Sequence, residues 1–452
     1  MKNKKIDKRR FSTSKNLWKR AKKSIAGGNH LISKNPEMLC PDIWPTYYKN
    51  AKGVHTTGVN KIKYLDFYLM GVGTSILGYA NKTINQKVIK TITEGSVSSL
   101  NCYEEVKLAE YLLKINKWAN KVRFARTGGE ANSIAVRLAR ASCKSDKQKI
   151  AICGYHGWHD WYLAANLKKS NNLDNLLIPN IPSDGVPKNL KNTIVKFEFN
   201  DIQNLKKVLK LNKDIGIIKL EVYRNDPPDK NFLQELRQIC NDKKIILIFD
   251  ECTSGFRETF GGIHQKYNIN PDLIIYGKAL GNGFPITAII GKDEILNNIS
   301  KTFISSTFWS ERIGPTAALA TLSEMERLRS WEKISKYGLK IKSLWKKLSD
   351  YYELKIIIGG VASIPQFYIP SKKFLKYKTY ITQEFLKNDM LAGNLVFVST
   401  YHDNQMMKKY EKILNSIFEK IRDFEDGENI DSYLIGSEIK NYFRNYSQTI
   451  KK

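Results

Sequence analysis

Asp272-Leu273-Ile274-Ile275-Tyr276-Gly277-Lys278-Ala279-Leu280-Gly281-Asn282-Gly283 is the stretch from which the rest of the chain is read. A short apolar run ends there in a glycine and a lysine. Upstream, Lys244-Ile245-Ile246-Leu247-Ile248-Phe249-Asp250-Glu251 repeats the layout and ends in acid. Runs of this kind suit strands buried on both faces of a parallel sheet. Residues 150–153 and Ile215–Leu220 form two more, and 286–290 reads as a further strand that returns antiparallel. From about residue 80 to 300 helical stretches alternate with these runs, which predicts a mainly parallel α/β sheet flanked by helices. Ligands of such sheets bind beyond the carboxyl ends of the strands, so Asp250 and Lys278 are expected to share one crevice.

Two denser clusters also follow apolar runs. Arg126-Thr127-Gly128-Gly129-Glu130 precedes a helix whose buried face is Ala131, Ile134, Ala135, Leu138 and Ala139. Two glycines at a helix start let backbone N–H groups approach an anion, favoured by the helix dipole, and Thr127 can add a hydroxyl donor. A tight turn with glycines for steric reasons is the alternative. In Gly154-Tyr155-His156-Gly157-Trp158-His159-Asp160, Tyr155 can stack on a flat ring and Gly157 leaves room beside it. His156 and His159 lack a Glu or Cys at zinc spacing, so no metal is expected and both histidines read as structural or supporting. A lysine able to form a Schiff base, an aspartate for a pyridinium nitrogen and an anion-binding turn together point to pyridoxal phosphate. A buried Asp250 needs a cationic partner to offset its burial. Cys252 points to the same side as Asp250 in an extended chain, either against the cofactor face opposite Tyr155 or as an inert core residue.

Length and composition bound the class. A chain of 452 residues is too long for one core, so at least two lobes are expected. We read 1–75 as an N-terminal segment of helix and short strands, 76–315 as a large cofactor-binding domain and 316–452 as a smaller C-terminal lobe. The tail beyond Phe424 reads as a peripheral helix. The formal charge of +30 comes from lysines spread over the whole chain, not from a basic stripe interleaved with aromatics, so no nucleic-acid partner is expected. No apolar stretch nears the ~20 residues needed to span a bilayer. The six cysteines form no close pair, which fits a reducing compartment. The basic N-terminus superficially resembles a transit peptide. Leu17, Ala21 and Ile25 nevertheless lie at helical spacing, Ser14 can cap that helix and Gly27-Gly28 can stop it. We read a docking helix of a cytoplasmic protein.

The ordered set Thr127-Gly128-Gly129-Glu130-Ala131, Tyr155-His156-Gly157, Phe249-Asp250-Glu251 through Gly255-Phe256-Arg257, and Gly277-Lys278-Ala279-Leu280-Gly281-Asn282-Gly283-Phe284-Pro285 resembles class III aminotransferases. Within them it is most similar to the glutamate-1-semialdehyde aminomutase group, over nearly the whole chain. The resemblance implies a fold-type I pyridoxal-phosphate enzyme, usually a homodimer with sites at the subunit interface. It makes Lys278 the Schiff-base lysine and Asp250 the ring-nitrogen partner. Thr127, Gly128 and Gly129 become the phosphate cup, Tyr155 the stacking residue, and His156 and Cys252 cofactor-side neighbours. Thr307 resembles the residue that reaches the phosphate from the neighbouring subunit, and Glu221 a glutamate near the substrate.

Departures cluster on the substrate side. Gly129 removes a hydroxyl usual in the phosphate cup. Lys34 stands where mutases carry a substrate-binding arginine, Val72 where they carry a tryptophan, and the 308–312 segment is bulkier and more charged. The expected activity is transfer of an amino group from an amino-acid donor to an aldehyde or keto acceptor. A sugar or sugar acid for a surface polysaccharide is the preferred acceptor. The aminomutase of tetrapyrrole synthesis is the nearest alternative, and an inactive binding or scaffold protein of the same fold the alternative from another class.

Overall fold

The structure is a computed structural model that describes residues 8–169, 171–174, 176, 181–223 and 225–440. The chain divides into two compact units, one made of residues 1–81 and 333–452, the other of 82–332. The first unit opens on helix Ser12–Ser24, whose buried residues are Ser14, Trp18 and Ala21. The expectation that Ser14 caps this helix is corrected: Phe11 is the N-cap, with no side-chain cap, and Ser14 lies inside the helix. The Trp18 indole, the largest apolar group nearby, sets the inward face and leaves Leu17 and Ile25 half-buried. Gly28, at φ +80°, is needed there because a Cβ would lie 2.6 Å from that indole. Strands β1 (Tyr48–Lys52), β2 (His55–Gly58) and β3 (Lys63–Asp66) follow as an antiparallel meander.

The second unit holds β4 (Lys121–Ala125), β5 (Lys149–Cys153), β6 (Ile194–Lys196), β7 (Ile215–Leu220), β8 (Ile246–Glu251), β9 (Leu273–Tyr276) and β10 (Thr287–Gly291). They form one sheet in the order β4-β10-β9-β8-β7-β5-β6. The run from β9 to β6 is parallel, and β10 runs against both its neighbours. The expected mainly parallel sheet and its antiparallel return are therefore present. Every residue of β7, β9 and β10 is buried, as unbroken apolar runs require. Helix Gly128–Ser142 lays Ala131, Ile134, Ala135, Leu138 and Ala139 into one core with β-strand residues such as Ile152, Ile217 and Ile248. Short β6, at three residues, gave no readable run.

The chain re-enters the first unit at Lys333. There β11 (Ile357–Gly359) pairs with β12 (Gln366–Tyr368), and β13 (Met390–Leu391) joins β3 in parallel. The tail departs from the expected peripheral helix. After helix Asn404–Glu425 come a 3-10 turn, Ile430–Tyr433, and then a non-helical segment to Lys440. Its backbone is held by other residues instead of by its own: Ile435 N donates to Gln383 Oε1 (2.8 Å), Ile439 N to Thr379 Oγ1 (3.0 Å) and Lys440 N to Glu37 O (2.8 Å). The rest of the tail lies outside the described residues.

Candidate active site

The carboxyl edge of the second unit's sheet gathers chemistry from five strands. β4 delivers Thr127, β5 Tyr155 and His156, β7 Glu221, β8 Asp250 and Cys252, and β9 Lys278.

Asp250 is 4 % exposed. Its Oδ2 lies 2.9 Å from His156 Nδ1 and 3.9 Å from Lys219 Nζ, and its Oδ1 accepts the Cys252 N–H at 3.2 Å. Register explains the lysine. Lys219 on β7 pairs with Ile248 on β8, so its side chain shares the face of Ile248 and Asp250. Burial pushes the Asp250 carboxyl upward, but the Lys219 ammonium and the His156 contact more than reverse this, holding it well below the usual carboxylate range. His156, fully buried, is lowered by burial and by Lys219, so it is neutral, with Nδ1–H donating to Asp250. The cationic partner that Asp250 requires is thus Lys219, which the sequence reading missed. The signal was present, as a charged residue inside the apolar run Ile215–Leu220.

Lys278 Nζ donates to Thr253 Oγ1 at 2.9 Å, and its backbone is left-handed at φ +40°, uncommon outside glycine. The Cys252 thiol is raised by burial and by the Asp250 charge, against a smaller opposing pull from the Lys278 charge. Gly277 is packed closely there, since a Cβ would lie 3.2 Å from Cys252 Sγ.

Thr127 and Glu130 form a reciprocal capping box. Thr127 N–H donates to Glu130 Oε2 (2.7 Å), as does the hydroxyl (3.0 Å), while Glu130 N–H donates to Thr127 Oγ1 (3.3 Å). The Thr127 hydroxyl, read from sequence as an extra anion donor, is turned back onto Glu130. Gly128 and Gly129 open the helix with N–H groups that have no intrahelical acceptor. A Cβ on Gly129 would lie 2.9 Å from His159 Nε2, and one on Gly157 would lie 3.2 Å from Gly129 Cα. His159 Nδ1 is 2.7 Å from Ser133 Oγ, which also accepts Trp161 Nε1–H at 3.1 Å.

Glu221 is 8 % exposed, and its Oε2 accepts the Tyr155 N–H at 2.9 Å, pinning the start of that loop. Tyr155 is half-buried and meets Tyr162 edge-on, with centroids 6.0 Å apart. Thr307 is exposed in a turn, Thr307–Ser310, and among the described residues no hydrogen bond joins it to the glycine turn. The segment is nevertheless tied to that helix. Trp309 Nε1 donates to Glu130 Oε1 (3.2 Å), and Arg126 donates to Trp309 O and Glu311 O, both at 2.9 Å. Lys34 and Val72 belong to the first unit: Lys34 is exposed at the end of a 3-10 turn, and Val72 is half-buried at φ +59°. Among the described residues no cluster of His, Cys, Asp or Glu could hold a metal ion, and no helix is long and apolar enough to cross a membrane.

The family model for class-III aminotransferases matches residues 41–361. The chain belongs to the class-III aminotransferase family. It is 30% identical over 405 residues to a 3-aminobutyryl-CoA aminotransferase of Cloacimonas acidaminovorans, covering 88% of this chain and 92% of the relative. It is 32% identical over 419 residues to a glutamate-1-semialdehyde 2,1-aminomutase of Saccharolobus islandicus, covering 89% and 92%. Among solved structures it resembles the FumI protein of Sphingopyxis sp. MTA144, solved in a PLP internal aldimine form. The TM-score is 0.82 at 21% identity, covering 94% of this chain and 100% of that one. That likeness establishes the fold, the fold-type I architecture. Class-III aminotransferases use pyridoxal phosphate.

The residues of this class-III aminotransferase fit that cofactor. Asp250 keeps one oxygen, Oδ1, with a single backbone donor, and two N–H groups at the glycine turn face outward from a helix start. Gly129 packs too close to His159, and Gly157 too close to Gly129, to admit a Cβ, which leaves the backbone of the turn bare, and Lys278 supplies an amine on the neighbouring strand end.

Proposed function

We propose that this class-III aminotransferase moves an amino group from an amino-acid donor to an aldehyde or keto acceptor, a sugar or sugar acid being the preferred class. The observation that carries the reaction type is the strand-end cluster in which Asp250, ion-paired with Lys219, closes β8 beside β9, the strand that ends at Lys278. Pyridoxal phosphate, when bound, supplies an electron sink for a carbanion at the donor's α-carbon. Asp250 Oδ1 would hold the ring-nitrogen proton, and the Gly128 and Gly129 N–H groups would hold the phosphate. Tyr155 would cover the ring. Lys278 Nζ would anchor the cofactor and, once released, move the proton, for which it must be neutral. Thr253 Oγ1 orients that amine, and Glu221 fixes the Tyr155 loop.

Lys34 and Val72 support an acceptor other than glutamate-1-semialdehyde. A lysine holds a carboxylate as a point charge, without an arginine's paired hydrogen bonds, and valine leaves the volume of an indole unfilled. The aminomutase stands as the second reading because a mutase is among the relatives at 32% identity. The deciding assay measures aminolevulinate formation from glutamate-1-semialdehyde beside donor-driven conversion of the cofactor to its amine form. Poor mutase activity with clear conversion by a common donor such as glutamate is expected. Efficient aminolevulinate formation would overturn the aminotransferase reading in favour of the mutase. The absence of visible cofactor absorbance would favour an inactive protein of this fold.

We infer a homodimer as well. The second unit exposes Ile92, Leu100, Tyr103, Val106, Phe303 and Phe308, with Phe303 92% and Phe308 70% exposed, apolar side chains that a partner subunit would cover. The six free cysteines support a reducing, cytoplasmic setting.

A further inference from the structure

Lys219 is a buried charge that the proposed reaction leaves without a task. Its side chain is 0% exposed in the middle of the sheet, and its Nζ has no hydrogen-bond partner. An ammonium in such a place persists only beside a carboxylate. Four groups bear on it: Asp250 and Cys252 from the end of β8, His156 from the loop after β5, and Glu221 next along its own strand. Cys252 is kept as the thiol and His156 as neutral imidazole, and Glu221 turns its Oε2 to the Tyr155 N–H. Asp250, at 3.9 Å, is the one carboxylate within ion-pair distance among the described residues.

We propose that Lys219 is the counter-ion of Asp250 in the cofactor-free protein and gives up its proton when the cofactor's ring N–H arrives, so that Asp250 neutralises one positive charge at a time. The inference rests on the assignment of Asp250 to the ring nitrogen. Two cations cannot share one buried carboxylate without leaving a net positive charge in the sheet. The ring N–H would take a direct hydrogen bond to Oδ1, whereas Lys219 makes no hydrogen bond and stands 3.9 Å from Oδ2. Lysine is also the cation that burial already favours in its neutral form. The proton passes to buffer, and Lys219 remains as an uncharged amine.

Calorimetric titration of the full chain, prepared without cofactor, with pyridoxal phosphate in buffers of different ionisation heat counts the protons released per site. Wild type is expected to release about one proton more than Lys219→Met, which has none to give, and about one more than Lys219→Arg, whose charge cannot be given up. The arginine variant should also hold the cofactor less tightly than the methionine variant. A merely structural lysine would alter stability in both variants and leave the count alone. The wild-type count in either folded variant overturns the proposal. If Lys219→Arg no longer binds, the Lys219→Met count decides alone. Binding with an Asp250→Ala variant whose ring nitrogen titrates as in wild type would overturn the Asp250 assignment, and the proposal with it.

Discussion

Gly157→Ala tests the close approach of two backbone loops at the glycine turn. Gly157 sits at φ +97°, and a Cβ there would lie 3.2 Å from the Gly129 Cα, a backbone atom that cannot rotate away. Holding a non-glycine residue in that conformation costs about 1–3 kcal/mol. Separating the two loops by a few tenths of an ångström would also shift the Gly129 N–H proposed to hold phosphate. If half of a ~3 kcal/mol penalty falls on the bound state, the cofactor Kd rises about tenfold. Gly185→Ala is the control, because Gly185 lies at φ +82° with nothing within 4 Å of its would-be Cβ. That change should lower stability through backbone strain and leave cofactor affinity alone. The assay titrates cofactor-free protein with pyridoxal phosphate and follows tryptophan fluorescence, with Trp158 and Trp161 flanking the loop. A Gly157→Ala protein that folds and binds within about twofold of wild type would refute the placement of the phosphate at this turn. Equal weakening by Gly185→Ala would show strain, not the close approach, to be the cause.

Lys278→Ala should abolish the visible absorbance of lysine-bound cofactor, and borohydride reduction with peptide mapping should label Lys278; a label on another lysine would displace the assignment. A Lys278→Ala subunit mixed with a Thr307→Ala subunit should regain activity beyond either parent, because one site of each mixed dimer carries neither defect. No recovery despite demonstrated exchange would return Thr307 to its own subunit. His402 accepts the Ser399 N–H at Nδ1 (3.2 Å) and donates Nε2–H to Asp66 O (2.9 Å), and burial lowers its pKa to about 4. Its folded pKa lies below the unfolded value of about 6.5, so its contribution is complete above that value and is lost as pH falls through 4, on the order of 3 kcal/mol. Urea midpoints of His402→Gln should therefore depend less on pH between about 6.5 and 4; parallel curves for variant and wild type would count against this.

Asp250 and Lys278 were legible because a strand buried on both faces must be a continuous apolar run, and its end is where polar chemistry can start. The same rule yielded β5, β7, β8 and β9, and the antiparallel β10. It failed for β6, where three residues are too few to form a run. Ser14 looked like a cap because caps are local, but the choice fell to where Phe11 and Trp18 could be buried, which is tertiary. The extended tail to Lys440 could not be read, since its hydrogen-bond partners, Gln383, Thr379 and Glu37, lie far away in sequence. Thr127 carries a second, local signal as well. Thr127-Gly128-Gly129-Glu130 is a Thr-x-x-Glu capping box on its face, and such a box already commits the hydroxyl.

Lys219 shows why the remainder of the site needed the structure. A lysine inside an apolar run is visible, but its partner is fixed by the pairing of Lys219 with Ile248, a register that no local signal contains. The groups assigned to the cofactor side, Asp250, His156, Lys219 and Lys278, stand on or directly after strands locked by the ladder and by mutual charge. Changing Asp250, His156 or Lys219 leaves a buried charge or donor without its partner, a cost of about 1–3 kcal/mol or more out of a total stability of about 5–15 kcal/mol. Lys34 and Val72 are held differently, one exposed on a short turn and the other half-buried in a left-handed backbone position that valine seldom adopts. Exchange of Lys34 strands no buried charge and breaks no strand pairing. Positions of this kind can change while the sheet register, and the residues that it places, stay fixed.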